Sequence, residues 1–205
     1  MKNGQLISGV ELYGFEKQMS GQDDITTILA KANMLIYFSK LFKDNSNICE
    51  IQLLARNLLN KTFFSSKTAL GTLGHLEKNK YDLILANPPY YQDATITKLA
   101  AATGYYTTKG TGVEALFLEW IIHSLKHGGT ANIVLPDGIF TNLGNTKLKE
   151  LILRDCFIES IISLPINSFF NTPKKTYILT LKKKTTEEID SGTKQKSKIF
   201  CYLCK

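Results

Sequence analysis

The chain has 205 residues, 43% hydrophobic and 21% charged, which is enough to bury one sizeable core and fits a single domain. No apolar run reaches bilayer length and the opening MKNGQLISGVELYG has no signal-peptide core, so the reading is a soluble, cytoplasmic chain without a membrane partner. The net charge of +7 is uneven: residues 174–205 hold nine Lys against three acidic residues and so carry +6 of it. That end can touch phosphates, or it is a solvated tail or a lysine-guarded edge strand.

In chain order, Val10–Gly14 reads as a strand and Ile25–Lys40 as a helix with Ile28, Leu29, Ala32, Leu35 and Ile36 on one side. Residues 48–54 are expected to form a strand, and 81–86 another, followed by a loop through Gly104, Gly110 and Gly112. Val113–Leu125 is expected to be a helix with Leu116, Phe117, Trp120, Ile121 and Leu125 facing the core, stopped by His127-Gly128-Gly129. Ala131–Leu135 is a strand closed by Pro136, Lys147–Arg154 a helix and Ile158–Leu164 a strand. Thr176–Lys182 is a further strand, expected to be antiparallel, and 182–198 an exposed Lys-rich loop. Such alternation favours an α/β fold with a mostly parallel sheet. Cys49, Cys156, Cys201 and Cys204 lack disulfide-framework spacing, and the lone Cys201-Leu-Tyr-Cys204 has no second pair or nearby His, so no metal is expected.

The chemistry concentrates at Asn87-Pro88-Pro89-Tyr90. The apolar run Leu83–Ala86 ends at two prolines, which cannot continue a sheet, and a residue before proline is held extended. Asn87 is therefore presented stiffly at the carboxyl end of a strand, where open α/β sheets bind ligands. The Asn87 side-chain oxygen and the Pro88 carbonyl make a rigid acceptor pair beside the aromatic face of Tyr90. The pair suits an exocyclic amine on a planar base. The plainer alternative is an ordinary strand-to-loop exit.

Asn-Pro-Pro-Tyr after an apolar strand resembles the catalytic motif of adenine-specific (N-6) amino-group DNA methyltransferases. VEALFLEWIIHSLKHGGTANIVLPDGIF (113–140) and IISLPINSFFNTPKKTYILTLKKK (161–184) are similar to stretches of the modification (M) subunits of type I restriction systems, as is the segment Glu11–Glu16. The resemblance implies a class I S-adenosylmethionine-dependent methyltransferase fold of Rossmann-like kind, with residues 1–205 a single partial catalytic domain. It implies transfer of a methyl group from S-adenosylmethionine to the adenine amine, with Asn87 and Pro88 holding that amine, Pro89 stiffening the corner and Tyr90 stacking on the base.

Other roles follow from the same resemblance. Glu16 matches the acidic residue that binds the cofactor ribose, Asn57 is the nearest candidate beside the cofactor adenine, and Phe170 lines the target-base side. Against these stand an exposed Glu beside a strand, a polar residue in a helix or loop, and a core phenylalanine. The family's first strand and glycine-rich loop belong before residue 10, where MKNGQLISG does not reproduce them. The chain thus reads as truncated at both ends, holding the methyl donor weakly by itself, with DNA and a specificity subunit or complementary methyltransferase chain as partners. An inactive remnant or assembly subunit, and an amine methyltransferase acting on RNA or protein glutamine, remain the alternatives.

Overall fold

The computed structural model describes residues 10–17, 25–43, 47–66, 68–169 and 173–204. The chain divides into two compact units, residues 1–72 and 73–205. Residues 1–9, where the family's first strand and glycine-rich loop were not found in the sequence, lie outside the described residues.

In the first unit, strand β1 (Gly14–Lys17), helix α1 (Ile25–Lys43) and helix α2 (Ile48–Thr62) lead to strand β2 (Phe63–Ser66). Strands β1 and β2 pair in parallel, Gly14 opposite Phe63 and Glu16 opposite Ser65. The first strand is thus later than the expected 10–14, because its partner is only four residues long and meets the chain at Gly14. Residues 48–54 are helical, not a strand. Asn47 starts that helix: its side-chain oxygen accepts from the Glu50 amide at 3.3 Å and its carbonyl from the Ile51 amide at 3.1 Å. Ile51, Ala55 and Leu59 then recur at helical spacing and are half-buried. Helix α1 forms as expected, but its apolar residues Ile28, Leu29 and Ile36 are exposed.

The second unit contains strand β3 (Tyr81–Ala86), helices α3 (Ala94–Ala102) and α4 (Val113–Ser124), strand β4 (Leu125–Pro136), helices α5 (Gly138–Thr141) and α6 (Thr146–Asp155), strands β5 (Cys156–Ser163) and β6 (Thr176–Lys183), helix α7 (Thr186–Asp190) and strand β7 (Phe200–Leu203). The sheet order is β3-β4-β6-β5-β7. β3 runs parallel to β4 and β5 to β7, while β6 is antiparallel to both its neighbours, as its sequence suggested. Parallel neighbours need a long crossover, and α3 and α4 supply it between β3 and β4.

The core follows from two periodicities. On β4 and β6, Ala131 faces Leu181 and Ile133 faces Leu179, all four fully buried. The opposite face carries a polar row in which Ser160 donates to Thr180 (2.8 Å) and Thr180 to Asn132 (2.9 Å). Helix α4 is apolar nearly all round (Val113, Ala115, Leu116, Leu118, Ile121 and Ile122 are buried), which suits an internal helix. It ends at Ser124, before the His127-Gly128-Gly129 stop. Those glycines instead form a bulge at the start of β4, where a Cβ on Gly129 would lie 3.0 Å from the Asp82 carbonyl and 2.9 Å from that of Lys126.

Two further corrections concern the lysines. The exposed loop expected over 182–198 begins later, because Lys182 and Lys183 end β6 and Lys184 is buried. Lys183 donates to the carbonyls of His123 (3.4 Å) and Leu125 (2.9 Å) at the end of α4 and to the Asn79 side chain (2.9 Å). Lys184 donates to the carbonyls of Leu153 (2.7 Å) and Arg154 (3.0 Å) at the end of α6. Both ammoniums thus satisfy helix C-termini. Thr185 and Glu188 form a capping box that starts α7 within the supposed loop.

Candidate active site

Strand β3 stops at Ala86, and Asn87–Tyr90 form a loop at its carboxyl end. Pro88 is buried, Asn87 and Pro89 are exposed and Tyr90 is half-buried. Among the described residues β3 pairs only with β4, so it is an edge rather than a central strand.

The loop is held by few, definite bonds. The Tyr90 hydroxyl donates to the Asn87 side-chain oxygen at 2.7 Å and lies 3.2 Å from the Val134 carbonyl of β4, which ties the corner to the neighbouring strand. Burial pushes the Tyr90 phenol up to about 12, and Glu114 adds to this, so the hydroxyl stays a donor. Asn87 still has acceptor capacity, because an amide oxygen carries two lone pairs. The Tyr91 carbonyl accepts from the Val113 amide at 3.0 Å, bringing the loop to the start of α4. Asp93 caps α3 by accepting from the Thr95 and Ile96 amides (2.8 and 3.0 Å).

Beside this corner lies a cleft of about 400 Å³ lined by Gln92, Thr111, Glu114, Pro136, Asp137, Gly138, Asn142, Lys174 and Lys175. These come from the loop after β3, the start of α4 with the loop before it, the end of β4 with α5 and its caps, and the segment entering β6. Lys174 joins cleft and corner, its ammonium 3.4 Å from the Tyr90 carbonyl. Asp137 accepts from the Tyr177 hydroxyl (3.3 Å), and the Tyr177 ring meets Phe140 edge-on at 5.3 Å. Across the unit, the loop before α4 is fixed by Glu119. Its buried carboxylate accepts from the amides and hydroxyls of Thr107 and Thr108 at 2.6–3.3 Å. Burial would push Glu119 up, but His123 and these threonine donors outweigh it and hold the group down at about 2.

The other expected site residues are placed as follows. Glu16 is exposed and lies within β1, in the first unit, rather than just after a strand. Asn57 lies inside α2, and the strand expected just before it, residues 48–54, is part of the same helix. Phe170 lies outside the described residues. Glu114, Asp137 and Gln92 were not singled out from sequence; a lone carboxylate after a glycine-rich loop, as in GTGVEALF, was the available signal for Glu114.

The sequence profile of the N-6 DNA Methylase family matches residues 1–203. The chain belongs to this family. A relative within it, the type I restriction enzyme EcoEI methylase subunit of Escherichia coli, is 31% identical over 174 residues, covering 82% of this chain and 30% of that protein. The type I restriction-modification methyltransferase subunit of Streptococcus thermophilus shares 25% identity at a TM-score of 0.50, over 64% of this chain and 31% of its own. A Listeria monocytogenes protein assigned to the class I S-adenosylmethionine-dependent methyltransferases aligns at 22% identity and a TM-score of 0.52, over 75% and 45%. The fold is therefore that of class I S-adenosylmethionine-dependent methyltransferases, an α/β fold with mostly parallel strands. The family is one of DNA methyltransferases. This chain spans about 30% of the length of the EcoEI relative, and no helix among its described residues is long and apolar enough to cross a membrane.

Proposed function

We propose that this N-6 DNA methylase chain takes part in methyl transfer from S-adenosylmethionine to the exocyclic amine of adenine in DNA, within a type I restriction-modification system. The observation that carries the reading is the Asn87–Tyr90 corner: an exposed Asn and a half-buried Tyr at the carboxyl end of a parallel strand. An adenine must leave the duplex to reach such a corner. The Asn87 side-chain oxygen and the Pro88 carbonyl take the two amine hydrogens and concentrate electron density on the nitrogen. Tyr90, anchored through its hydroxyl to Asn87 and Val134, offers its ring as a stacking surface. Holding the amine in one orientation is the main contribution such a site can make.

The acceptor chemistry of Glu16 suits the cofactor. An exposed carboxylate on a strand parallel to its neighbour can accept both ribose hydroxyls. Bound S-adenosylmethionine supplies an electrophilic methyl group. Lys174 and Lys175 suit the DNA backbone, and further subunits of the system are the protein partners.

The test is label transfer. The chain, with the other subunits of its system, is incubated with methyl-labelled cofactor and adenine-containing DNA. Label recovered as N6-methyladenine is expected. Label on cytosine, or transfer that Asn87→Ala leaves unchanged, would overturn the assignment.

A further inference from the structure

Two buried carboxylates sit on α4, and they differ. Every oxygen of Glu119 is paired, so its place in the fold is accounted for. Glu114 is 9% exposed, and its Oε2 is buried with no hydrogen-bond partner among the described residues. Its carboxyl folds back over Gly112, where φ is +91° and an added Cβ would stand 2.6 Å from Cδ and both carboxyl oxygens. A residue without a side chain thus keeps that space open. The group lines the cleft next to Tyr90, with Lys174 and Lys175 on the same cleft.

An acceptor left in this condition is completed by a donor from outside the protein. The cleft also narrows what that donor belongs to. Glu114 and Asp137 repel a phosphate from the interior, whereas the exposed Lys174 attracts one outside it. A planar group bearing N–H donors, carried on an anionic backbone, meets both conditions. We propose that Glu114 is a specificity-determining residue: the cleft seats a base of the bound DNA other than the one held at Asn87, and the Glu114 carboxyl hydrogen-bonds the amino-bearing edge of that base. The inference rests on the DNA-methylase reading and adds a residue that reads a base beside the methylated one. Burial pushes Glu114 up, against the pull of its own amide and Lys174. An ionised carboxyl accepts from an exocyclic amine; a protonated one also donates to the ring nitrogen beside it. Either form suits adenine.

Fluorescence anisotropy with the full chain tests this, comparing a single-stranded deoxyadenosine oligomer with an abasic oligomer of equal length. The wild type is expected to prefer the adenine oligomer. Glu114→Ala should cut that preference about tenfold, and Glu114→Gln, which can donate and accept, should keep it. Lys174→Gln should weaken both oligomers alike. Thermal midpoints separate recognition from structure: losing an unpartnered buried acceptor should leave the midpoint of Glu114→Ala unchanged or raised. A preference intact in Glu114→Ala, or midpoints lowered in both Glu114 variants, overturns the inference alone. A wild type that does not distinguish the two oligomers overturns the reading of the site as well.

Discussion

Tyr90 has one hydroxyl proton and two acceptors within reach, the Asn87 side chain at 2.7 Å and the Val134 carbonyl at 3.2 Å. That hydroxyl therefore orients Asn87, while the ring does the stacking, and two substitutions separate the roles. Tyr90→Phe keeps the ring and frees Asn87, so turnover should fall while base holding is nearly unchanged. Tyr90→Ala should weaken base holding by about 1–3 kcal/mol, the range for one stacking contact. Asn87→Ala should lower turnover about 100-fold, as for the loss of one oriented polar group at a reacting centre, with DNA affinity nearly intact because phosphate contacts dominate it. Turnover from single-turnover methylation and affinity from equilibrium titration check all three. Equal losses of both quantities in Asn87→Ala would contradict the amine-holding role.

At the scale of elements, the loop between α3 and α4 is pinned by the buried Tyr106, whose hydroxyl donates to the Leu73 carbonyl at 2.7 Å, and by Glu119. Folded, that carboxyl is held at about 2, against about 4.3 in an unfolded chain. A depressed carboxyl contributes stability above its unfolded value and loses it as pH falls through the folded one. The contribution, about 3 kcal/mol, should be whole at pH 7 and fade from about pH 4.3 towards pH 2. Glu119→Gln should be less stable than wild type at pH 7, with the gap in urea midpoint closing as pH falls through that window. A gap that stays constant from neutral to strongly acidic pH would refute the clamp. The elements legible in sequence were those with strong apolar periodicity, such as β3, α4 and β6. Helix α2 was misread because ICEIQLL is nearly continuous in apolar residues, a pattern shared by strands and helices, and the Asn47 cap that decides it is a single polar residue. Helix α3 was missed although Asp93 caps it. At the site, the two prolines made Asn87 and Tyr90 legible. Glu114 was not, because its neighbours in space, Lys174 and Asp137, are brought to it only by the strand order β3-β4-β6.

For the whole molecule, the +6 carried by residues 174–205 does not act as one patch. Lys183 and Lys184 are buried against helix ends and serve the fold, whereas Lys194, Lys196 and Lys198 are exposed. From sequence these lysines were phosphate contacts, a solvated tail or the guard of an edge strand, but β6 lies between β4 and β5 and is no edge. The structure divides them, and the division can be measured. Each phosphate neutralised by an exposed Lys releases counterions and steepens the dependence of log affinity on log salt by about 0.9. Replacing Lys194, Lys196 and Lys198 by Gln should therefore flatten the salt dependence of DNA binding, by up to roughly 2.7 if all three touch phosphate, at an unchanged thermal midpoint. Lys184→Met should do the reverse. It strands the carbonyls of Leu153 and Arg154 at the end of α6, costing about 1–3 kcal/mol, and it leaves the salt slope as it was. Titrations at several salt concentrations with melting curves on the same samples give both quantities. If Lys184→Met flattened the slope and kept the midpoint, the ammonium would be facing DNA rather than capping a helix. If the triple variant left the slope untouched, the basic end would be a solvated tail, and phosphate contact would fall to Lys174 and Lys175 beside the cleft.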